Sequence, residues 1–397
     1  MHRFPAICLA ILLFLSACLP AHAAQPIPTP LENYPTQTSA PQTKKPIIEK
    51  EGPNPQWVAL IQLDGNIHMV NNSTGWSTQA TEDGTGLPQA GTSSAGQVTF
   101  YCCMSWSSDG QLLAFRSSSW VNSGEPGYRF AIGVYDMASE KAHMLLQNEN
   151  PIWLAFRPGT HLLAYDEAVS GEYFASGQPD ASKARGIMGL NVDTGEITEL
   201  VKPERGLWLT TPRWSPDGNM LGFLEQKQYE AAGNFALYDF QAQAYHAWDR
   251  EVGAYTFAPD GQHIVYDRLI TGARPENNRI WVSDSIGQGE HPISPEGAPS
   301  ASAPVWSPQG DLIAYLAGDQ AGNGPDTPKD LMVLAVSGGD PRKLGSFTNI
   351  GPLAWSPDEK KLAFSTGKPD QPKVLIVTVA DGSVKELGMG IEPVWEP

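Results

Sequence analysis

The sequence predicts an all-β fold built from repeated four-stranded antiparallel sheets, and three observations lead to this prediction. The first is composition: of 397 residues, 39 are Gly and 34 are Pro, with 41% hydrophobic and only 17% charged residues. Such a composition is typical of a folded protein with many turns, and differs from collagen and from disordered polyelectrolytes. The second is a motif that recurs along the chain, and the third is that the two ends of the repetitive region complement each other.

The recurring motif combines a tight turn with an apolar strand. One clear copy is Trp-Ser-Pro-Asp-Gly at 214–218, followed by Met-Leu-Gly-Phe at 220–223. Ser suits the first position of a type I turn, Pro fixes φ at the second, and Gly can adopt positive φ at the fourth. A small residue between large apolar ones in the strand predicts close packing at that point. Copies begin at Trp106, Phe156, Trp214, Phe257, Trp306 and Trp355.

Further segments complete each repeat. Leu331–Val336 reads as a second apolar strand, residues 337–340 as a Gly-bearing turn, and the residues up to Leu344 as a further short strand. The aromatic anchors are separated by 40 to 58 residues, the length of one four-stranded propeller blade. Each repeat is therefore predicted to be one antiparallel blade.

The ends of the repetitive region predict how the blades close. Residues 57–78 match the second, third and fourth strands of a blade, and Pro393–Pro397 match the missing first strand. Because closure covers strand edges that an open array would expose, we expect a seven-bladed β-propeller whose C-terminal strand completes the N-terminal blade. The alternative is a truncated seventh repeat. The predicted propeller occupies residues 56–397.

The repeats resemble the WD-like propeller repeats of TolB and of the propeller domains of prolyl-oligopeptidase-type peptidases. This resemblance covers nearly all of residues 56–397 and implies the fold. Such propellers serve in binding, scaffolding and catalysis, so the resemblance leaves the function open. TolB-like proteins also carry a small α/β domain before the propeller, and residues 18–55 are too few for one.

The N-terminus predicts export. Residues 1–17 form a charged start followed by the apolar run Ala6–Leu15, which is typical of a signal peptide and too short for a membrane span. Leu15-Ser16-Ala17-Cys18 resembles the bacterial lipobox, in which the Cys becomes the lipidated first residue. Residues 18–55 are Pro-rich and form an extended tether. We therefore expect lipid anchoring to the bacterial cell envelope through Cys18. Cleavage after Ala21-His22-Ala23, giving a soluble secreted protein, is the alternative.

The net charge of −17 disfavours nucleic acid and anionic headgroups as partners. No nucleic acid partner is predicted, membrane contact is expected through the lipid alone, and the protein is expected to be a monomer.

Residues before each anchor are expected to line the channel mouth opposite the Ser-Pro-Asp-Gly turns, together with long connections between second and third strands such as 117–129. Aromatic residues on such loops suggest a recognition surface for a protein, peptide or glycan. The alternative is that the rings pack against their own loops. The candidate partner-binding residues are Tyr101, Trp120, Tyr128, Trp153, Tyr173, Phe174, Trp208, Tyr229, Glu251 and Glu392.

Motifs for catalysis are not apparent in the sequence. It contains no three-His metal pattern, no G-x-S-x-G and no Walker loop, so no catalytic residue, metal or cofactor is predicted. The sequence favours a non-enzymatic binding or scaffolding module. The alternatives are a carbohydrate- or peptide-processing enzyme with its site at the mouth, and a ligand-sensing ectodomain.

Cys102 and Cys103 are adjacent on a predicted inner strand. Neighbouring side chains of a strand point to opposite faces, so a disulfide between them would be strained. Two buried thiols are expected instead.

Overall fold

The computed structural model describes residues 57–87, 98–121, 127–147, 151–167, 186–226, 233–268, 278–296, 299–318 and 326–397. In these ranges every regular element is a β-strand. None of the described residues belongs to a helix long and apolar enough to cross a membrane. The predicted signal peptide and tether lie outside the described residues.

The strands form six antiparallel sheets, five with four strands and one with seven. Sheet 1 contains β1 (Trp57–Ile61), β2 (Ile67–Asn71), β3 (Ser77–Gln79) and β27 (Ile391–Trp395). Sheet 2 contains β4 (Val98–Trp106), β5 (Leu112–Val121), β6 (Gly127–Asp136) and β7 (Lys141–Gln147). Sheet 3 contains β8 (Pro151–Phe156), β9 (Leu162–Glu167), β10 (Ile187–Asn191) and β11 (Ile197–Val201).

The seven-stranded sheet follows them. Sheet 4 contains β12 (Trp208–Trp214), β13 (Met220–Gln226), β14 (Gly233–Asp239), β15 (Ala244–Phe257), β16 (His263–Arg268), β17 (Arg279–Asp284) and β18 (His291–Pro292). Sheet 5 contains β19 (Ala301–Trp306), β20 (Leu312–Ala317), β21 (Lys329–Ala335) and β22 (Arg342–Phe347). Sheet 6 contains β23 (Ala354–Trp355), β24 (Lys361–Lys368), β25 (Gln371–Thr378) and β26 (Val384–Met389).

Sheet 4 differs from the expected pair of separate four-stranded units. The 14-residue strand β15 is the last strand beside β14 and also the first strand beside β16. Val252 pairs with Gly233 on one side and with Arg268 on the other. Because the chain passes from one unit to the next without a turn, the two hydrogen-bonded ladders join into one sheet.

The Ser-Pro-Asp-Gly segments form the expected turns. The Gly218 amide donates to the Ser215 carbonyl at 2.8 Å, and Gly218 has a φ of 70°. The buried Ser215 hydroxyl donates to Asp217 Oδ1 at 2.5 Å and accepts the Met220 amide at 2.9 Å. The turn thus satisfies its own polar groups while leading the chain into the next strand.

The small residue after each turn is packed among large side chains of its own sheet or of the next one. A Cβ on Gly222 would lie 3.0 to 3.2 Å from ring atoms of Tyr255, Phe257 and Phe235. At the equivalent positions, Ala114 and Ala314 are completely buried. Close packing of aromatic rings therefore requires a small side chain here.

Each sheet packs on the next through a cluster of buried apolar side chains. The same holds for sheets 6 and 1, which share the cluster of Val58, Ala363, Ile376 and Trp395. The C-terminal strand β27 pairs antiparallel with β1, with Trp395 opposite Val58. The Trp395 indole also donates to the carbonyl of Ala354 in sheet 6 at 3.1 Å. The expected pairing of the C-terminal strand with the N-terminal unit is therefore observed.

We predict that Trp395→Ala destabilises the fold strongly. Trp395 is buried between sheets 1 and 6, and truncation of a buried Trp typically costs ~3–5 kcal/mol. The measurement is the free energy of unfolding in urea. Val384→Ala, at a residue of sheet 6 that is 51% exposed, should leave stability nearly unchanged. Equal stability of the two variants would mean that β27 contributes little.

Candidate functional site

The first strand of most sheets contains a β-bulge shortly before its aromatic anchor. Pairing shifts register between Cys102 and Ser105, between Thr210 and Arg213, and in the same way in β8, β15 and β19. A bulge removes an amide from its ladder and redirects side chains. Amides and carboxylates of eight residues meet at these bulges, and we refer to this set as the mouth: Cys103, Trp153, Asp166, Thr211, Ala254, Asp267, Ala303 and Glu392.

The bulges require unusual backbone angles. Cys103, Thr211, Ala303 and Glu392 have φ between 51° and 61°, a region that non-glycine residues rarely adopt. The four residues occupy the same position, three residues before the anchors Trp106, Trp214, Trp306 and Trp395. The same backbone device is therefore repeated around the mouth.

Asp166 joins the bulges of two sheets. Its Oδ1 accepts the Trp153 amide of its own sheet at 2.6 Å, and its Oδ2 accepts the Thr211 amide of sheet 4 at 3.1 Å. The Thr210 hydroxyl donates to the same Oδ2. Asp166 is completely buried, so this carboxylate acts as a bridge between the first strands of sheets 3 and 4.

Asp267 makes the same arrangement two repeats further along the chain. Its Oδ1 accepts the Ala254 amide of β15 at 2.7 Å, and its Oδ2 accepts the Ala303 amide of sheet 5 at 2.9 Å. Asp267 is only 4% exposed. Two carboxylates of identical position in their repeats therefore make identical bridges.

Glu392 makes a third bridge, from sheet 1 to sheet 2. Its Oε2 accepts the Cys103 amide at 2.8 Å. Here the carboxylate comes from the bulge residue itself, because Glu392 lies on the C-terminal strand β27. Sheet 1 contains both the first and the last described strand, and this hydrogen bond links it to sheet 2.

Burial dominates the titration of these acids. It raises the pKa of Asp166 to about 6, against the lowering effect of the Thr210 hydroxyl and the backbone amides. Burial also raises the pKa of Asp267 and of Glu392. A pKa near 6 suits general acid–base chemistry, but both oxygens of Asp166 already accept backbone amides. These hydrogen bonds give the three carboxylates a structural role at the bulges.

The two cysteines meet beside the Glu392 bridge. The Sγ atoms of Cys102 and Cys103 are 2.8 Å apart, and Arg116 Nη1 lies 3.9 Å from Cys102 Sγ. Cys103 is buried and Cys102 is half-buried. The expectation that their side chains point to opposite faces is wrong, because positive φ at Cys103 breaks the strand alternation.

Two of the predicted contact residues, Tyr101 and Trp208, are buried. Tyr101 is 2% exposed, donates to Asp83 and packs edge-on against Phe115. Trp208 is 4% exposed and donates its indole hydrogen to the Glu167 carbonyl at 2.8 Å. Both rings are packed inside the fold, and their polar atoms already have hydrogen-bond partners there.

The remaining candidates differ in their surroundings. Trp153 and Glu392 belong to the carboxylate bridges, and Glu251 is half-buried on β15. Trp120 and Tyr128 lie opposite each other where β5 and β6 pair. The prediction of a loop over 117–129 is wrong at both ends, since the strands continue through Val121 and from Gly127. Cys18, Tyr173, Phe174 and Tyr229 lie outside the described residues.

Sequence reasoning missed Asp166, Asp267 and Arg116. A signal was present: Asp166 and Asp267 each follow a buried aromatic residue at the end of an apolar strand. A carboxylate at such a position must find hydrogen-bond donors when the strand is buried.

A second polar cluster lies between sheets 2 and 3 on the turn side. His161 Nδ1 lies 2.8 Å from Asp193 Oδ1, and its Nε2 lies 3.2 Å from Asp109 Oδ2. The two carboxylates raise the pKa of His161, with Asp193 contributing most. An adjacent cavity of about 340 Å³ is lined by Asp136 and His143 among others. Within the described ranges, no three His, Cys, Asp or Glu side chains are grouped to hold a metal ion.

Comparison with known proteins places the fold. No family model matches the chain. The uncharacterized peptidase YuxL of Bacillus subtilis (strain 168) is 28% identical over 109 residues, which are 27% of this chain and 16% of that protein. The match therefore spans a small part of its curated relative.

Solved structures cover more of the chain. A prolyl endopeptidase matches with a TM-score of 0.58 at 13% identity, over 82% of this chain and 46% of that chain. Oligogalacturonate lyase in complex with manganese matches with a TM-score of 0.54 at 17% identity, over 79% and 82%. TolB from Acinetobacter baumannii matches with a TM-score of 0.49 at 13% identity, over 76% and 83%. The likeness to the prolyl endopeptidase and to oligogalacturonate lyase shows that the chain shares their propeller fold.

Proposed function

We propose that this protein is an exported lipoprotein, anchored through Cys18, whose closed seven-bladed propeller binds a protein, peptide or glycan partner at the mouth without catalysing a reaction. The lipobox-like segment before Cys18 and the Pro-rich residues 18–55 support the anchor and a spacer. Sheet 4 counts as two blades in this proposal, sharing β15. The packing of sheet 6 on sheet 1 through Trp395 supports closure.

The observation that carries the binding proposal is the arm formed by residues 117–121 and 127–131, the outer part of the β5–β6 hairpin. Backbone pairing continues along it to Val121 opposite Gly127, with Trp120 opposite Tyr128. Trp and Tyr provide large contact areas with few rotatable bonds, so they dominate many interfaces. Backbone pairing places positions 120 and 128 opposite each other, in the same sheet as the Cys102–Ser105 bulge.

The carboxylate bridges favour binding over chemistry at the mouth. Three acids meet the bulges of the first strands, and each accepts at least one backbone amide: Asp166, Asp267 and Glu392. A catalytic carboxylate must instead exchange its proton with a substrate or water. The mouth therefore resembles a rigid platform for a partner.

A peptide-processing or carbohydrate-processing enzyme is the second candidate. The local sequence match to a peptidase, and the fold likeness to a prolyl endopeptidase and an oligogalacturonate lyase, favour it. A screen of defined oligosaccharides and peptides separates the two candidates, since an enzyme converts the compound that it binds.

We predict that a ligand of the mouth stabilises the wild-type protein and not a Trp120→Ala/Tyr128→Ala variant. Full-length protein in detergent is screened by thermal unfolding against defined oligosaccharides and short peptides. A ligand at 100 times its Kd adds about 2.7 kcal/mol to the free energy of unfolding, which raises the melting temperature. Ile197→Ala, an exposed position on β11, is the matched control and should retain the shift.

Equal shifts in the arm variant and the wild type would exclude the arm as the contact surface. Conversion of a stabilising compound into products would support the enzyme alternative.

We predict that Cys18→Ala releases the protein from the membrane fraction of bacteria that express it. The change removes the only sulfur that the lipobox-like segment offers for lipidation, while the folded sheets remain intact. The measurement is the distribution of the protein between membrane and soluble fractions. Cys8→Ala, within the apolar run, should remain membrane-bound. Membrane association of the Cys18 variant equal to wild type would contradict the lipid anchor.

A further inference from the structure

The thiol pair at the mouth has a geometry that ordinary strand neighbours lack. In a regular strand, adjacent side chains point to opposite faces. At Cys103, a φ of 61° within the β4 bulge turns the two side chains toward each other, and the Sγ atoms approach to 2.8 Å. The sulfurs are therefore within about 1 Å of the length of a disulfide bond.

Contacts from two other strands hold this geometry. The Glu392 carboxylate accepts the Cys103 amide at 2.8 Å and so fixes the bulge from sheet 1. On the other side, Arg116 of β5 places Nη1 3.9 Å from Cys102 Sγ, and its guanidinium stacks 4.7 Å from the Phe130 ring centroid. The bulge is therefore held in the shape that pairs the sulfurs.

The two thiols have different environments. Cys102 is half-buried and lies beside the guanidinium, so it can be reached from solvent and its sulfur faces a positive charge. Cys103 is buried, and its position next to Cys102, together with burial, raises its pKa. Thiolate is the reactive form in thiol–disulfide exchange, and an exposed sulfur meets an oxidant more readily than a buried one. An accessible attacking sulfur and a buried resolving sulfur are thus adjacent.

We propose that Cys102 and Cys103 form a redox-active vicinal dithiol, which a disulfide-bearing oxidant converts into a disulfide within the bulge. The Cys102 thiolate attacks one sulfur of the oxidant, releasing one thiolate and forming a mixed disulfide. Cys103 then attacks Cys102 Sγ, its proton passes to the second leaving thiolate, and that thiol departs. The first released thiolate takes up the proton that Cys102 gave up. In total the protein loses two protons and two electrons as two thiols become one disulfide, and the oxidant is reduced to two thiols.

The site is separate from the carboxylate bridges at Asp166 and Asp267, and it does not depend on which partner the mouth binds. Other bulge positions carry Thr211 and Ala303 in place of Cys103, so the redox chemistry is specific to the junction of sheets 1 and 2.

The test uses full-length protein equilibrated with reduced and oxidised glutathione, then quenched with iodoacetamide and digested with trypsin. Residues 51–116 form one tryptic peptide that contains both cysteines and no other. We expect the oxidised peptide to be lighter by two hydrogen atoms and free of alkyl groups and glutathione. We also expect the folded protein to oxidise at an about tenfold lower ratio of oxidised to reduced glutathione than the urea-unfolded protein, because the bulge holds the sulfurs together.

Variants identify the two roles. Cys103→Ser should trap the mixed disulfide, so that glutathione stays bound to Cys102, whereas Cys102→Ser should take up glutathione more slowly at the buried Cys103. Ser105→Ala, in the same bulge with both thiols retained, is the control and should oxidise like the wild type. Uptake of two glutathione molecules by the wild-type peptide, or two alkyl groups under all redox conditions, would overturn the proposal.

Phenylarsine oxide tests the reduced pair independently of the variants. One arsenical bonds to two neighbouring thiols and releases one water, so one equivalent should protect both cysteines of this peptide from iodoacetamide. Alkylation of both cysteines in the presence of the arsenical would show that the sulfurs are too far apart, and would contradict the proposed site.

Discussion

The interaction on which the mouth of this protein depends is a hydrogen bond between a carboxylate of one sheet and a bulge amide of the next. Across sheet boundaries, Asp166 accepts the amide of Thr211 and Asp267 accepts the amide of Ala303. Glu392 accepts the amide of Cys103 in the same way. Without an acceptor, a buried amide costs ~1–3 kcal/mol. The bridges therefore pair donors that the bulges would otherwise leave unpaired, and they set the spacing of neighbouring first strands.

The bridges and bulges have consequences for the acids and for the thiols that lie beside them. Burial raises the pKa of Asp166 to about 6, which is a cost of placing an acid inside the fold, and the amide hydrogen bonds compensate part of it. The bulge residue whose amide needs an acceptor also has a positive φ, which changes the direction of its side chain. At Cys103 the rotation brings two sulfurs together, whereas at Thr211 and Ala303 it has no redox consequence.

Much of the fold could be predicted from the sequence because each repeat contains the same turn residues and the same pattern of large and small apolar residues. The Ser215–Gly218 turn and the buried small residue at Gly222 follow from backbone angles and side-chain volume. The pairing of β27 with β1 followed from matching incomplete repeats at the two ends. These features depend on neighbours in sequence or on the repeat itself.

The candidate site was harder to predict, since a bulge depends on the register between two strands. Pro212, Pro304 and Pro393 stand directly after bulge residues, and proline cannot donate to a ladder, so they were an available signal. The burial of Tyr101 and Trp208 could not be predicted from residue type, because it depends on which strand covers each ring.

Amide hydrogen exchange at the bulges, measured by mass spectrometry on short peptides, tests the carboxylate bridges most directly. Asp166→Ala should accelerate exchange at Trp153 and Thr211, whose amides lose their acceptor, and leave Ala254 and Ala303 protected. Asp267→Ala should do the reverse, and Asp166→Asn, which keeps one acceptor oxygen in place of two, should retain protection at one of the two amides. Unchanged exchange at Trp153 and Thr211 in Asp166→Ala would contradict the account.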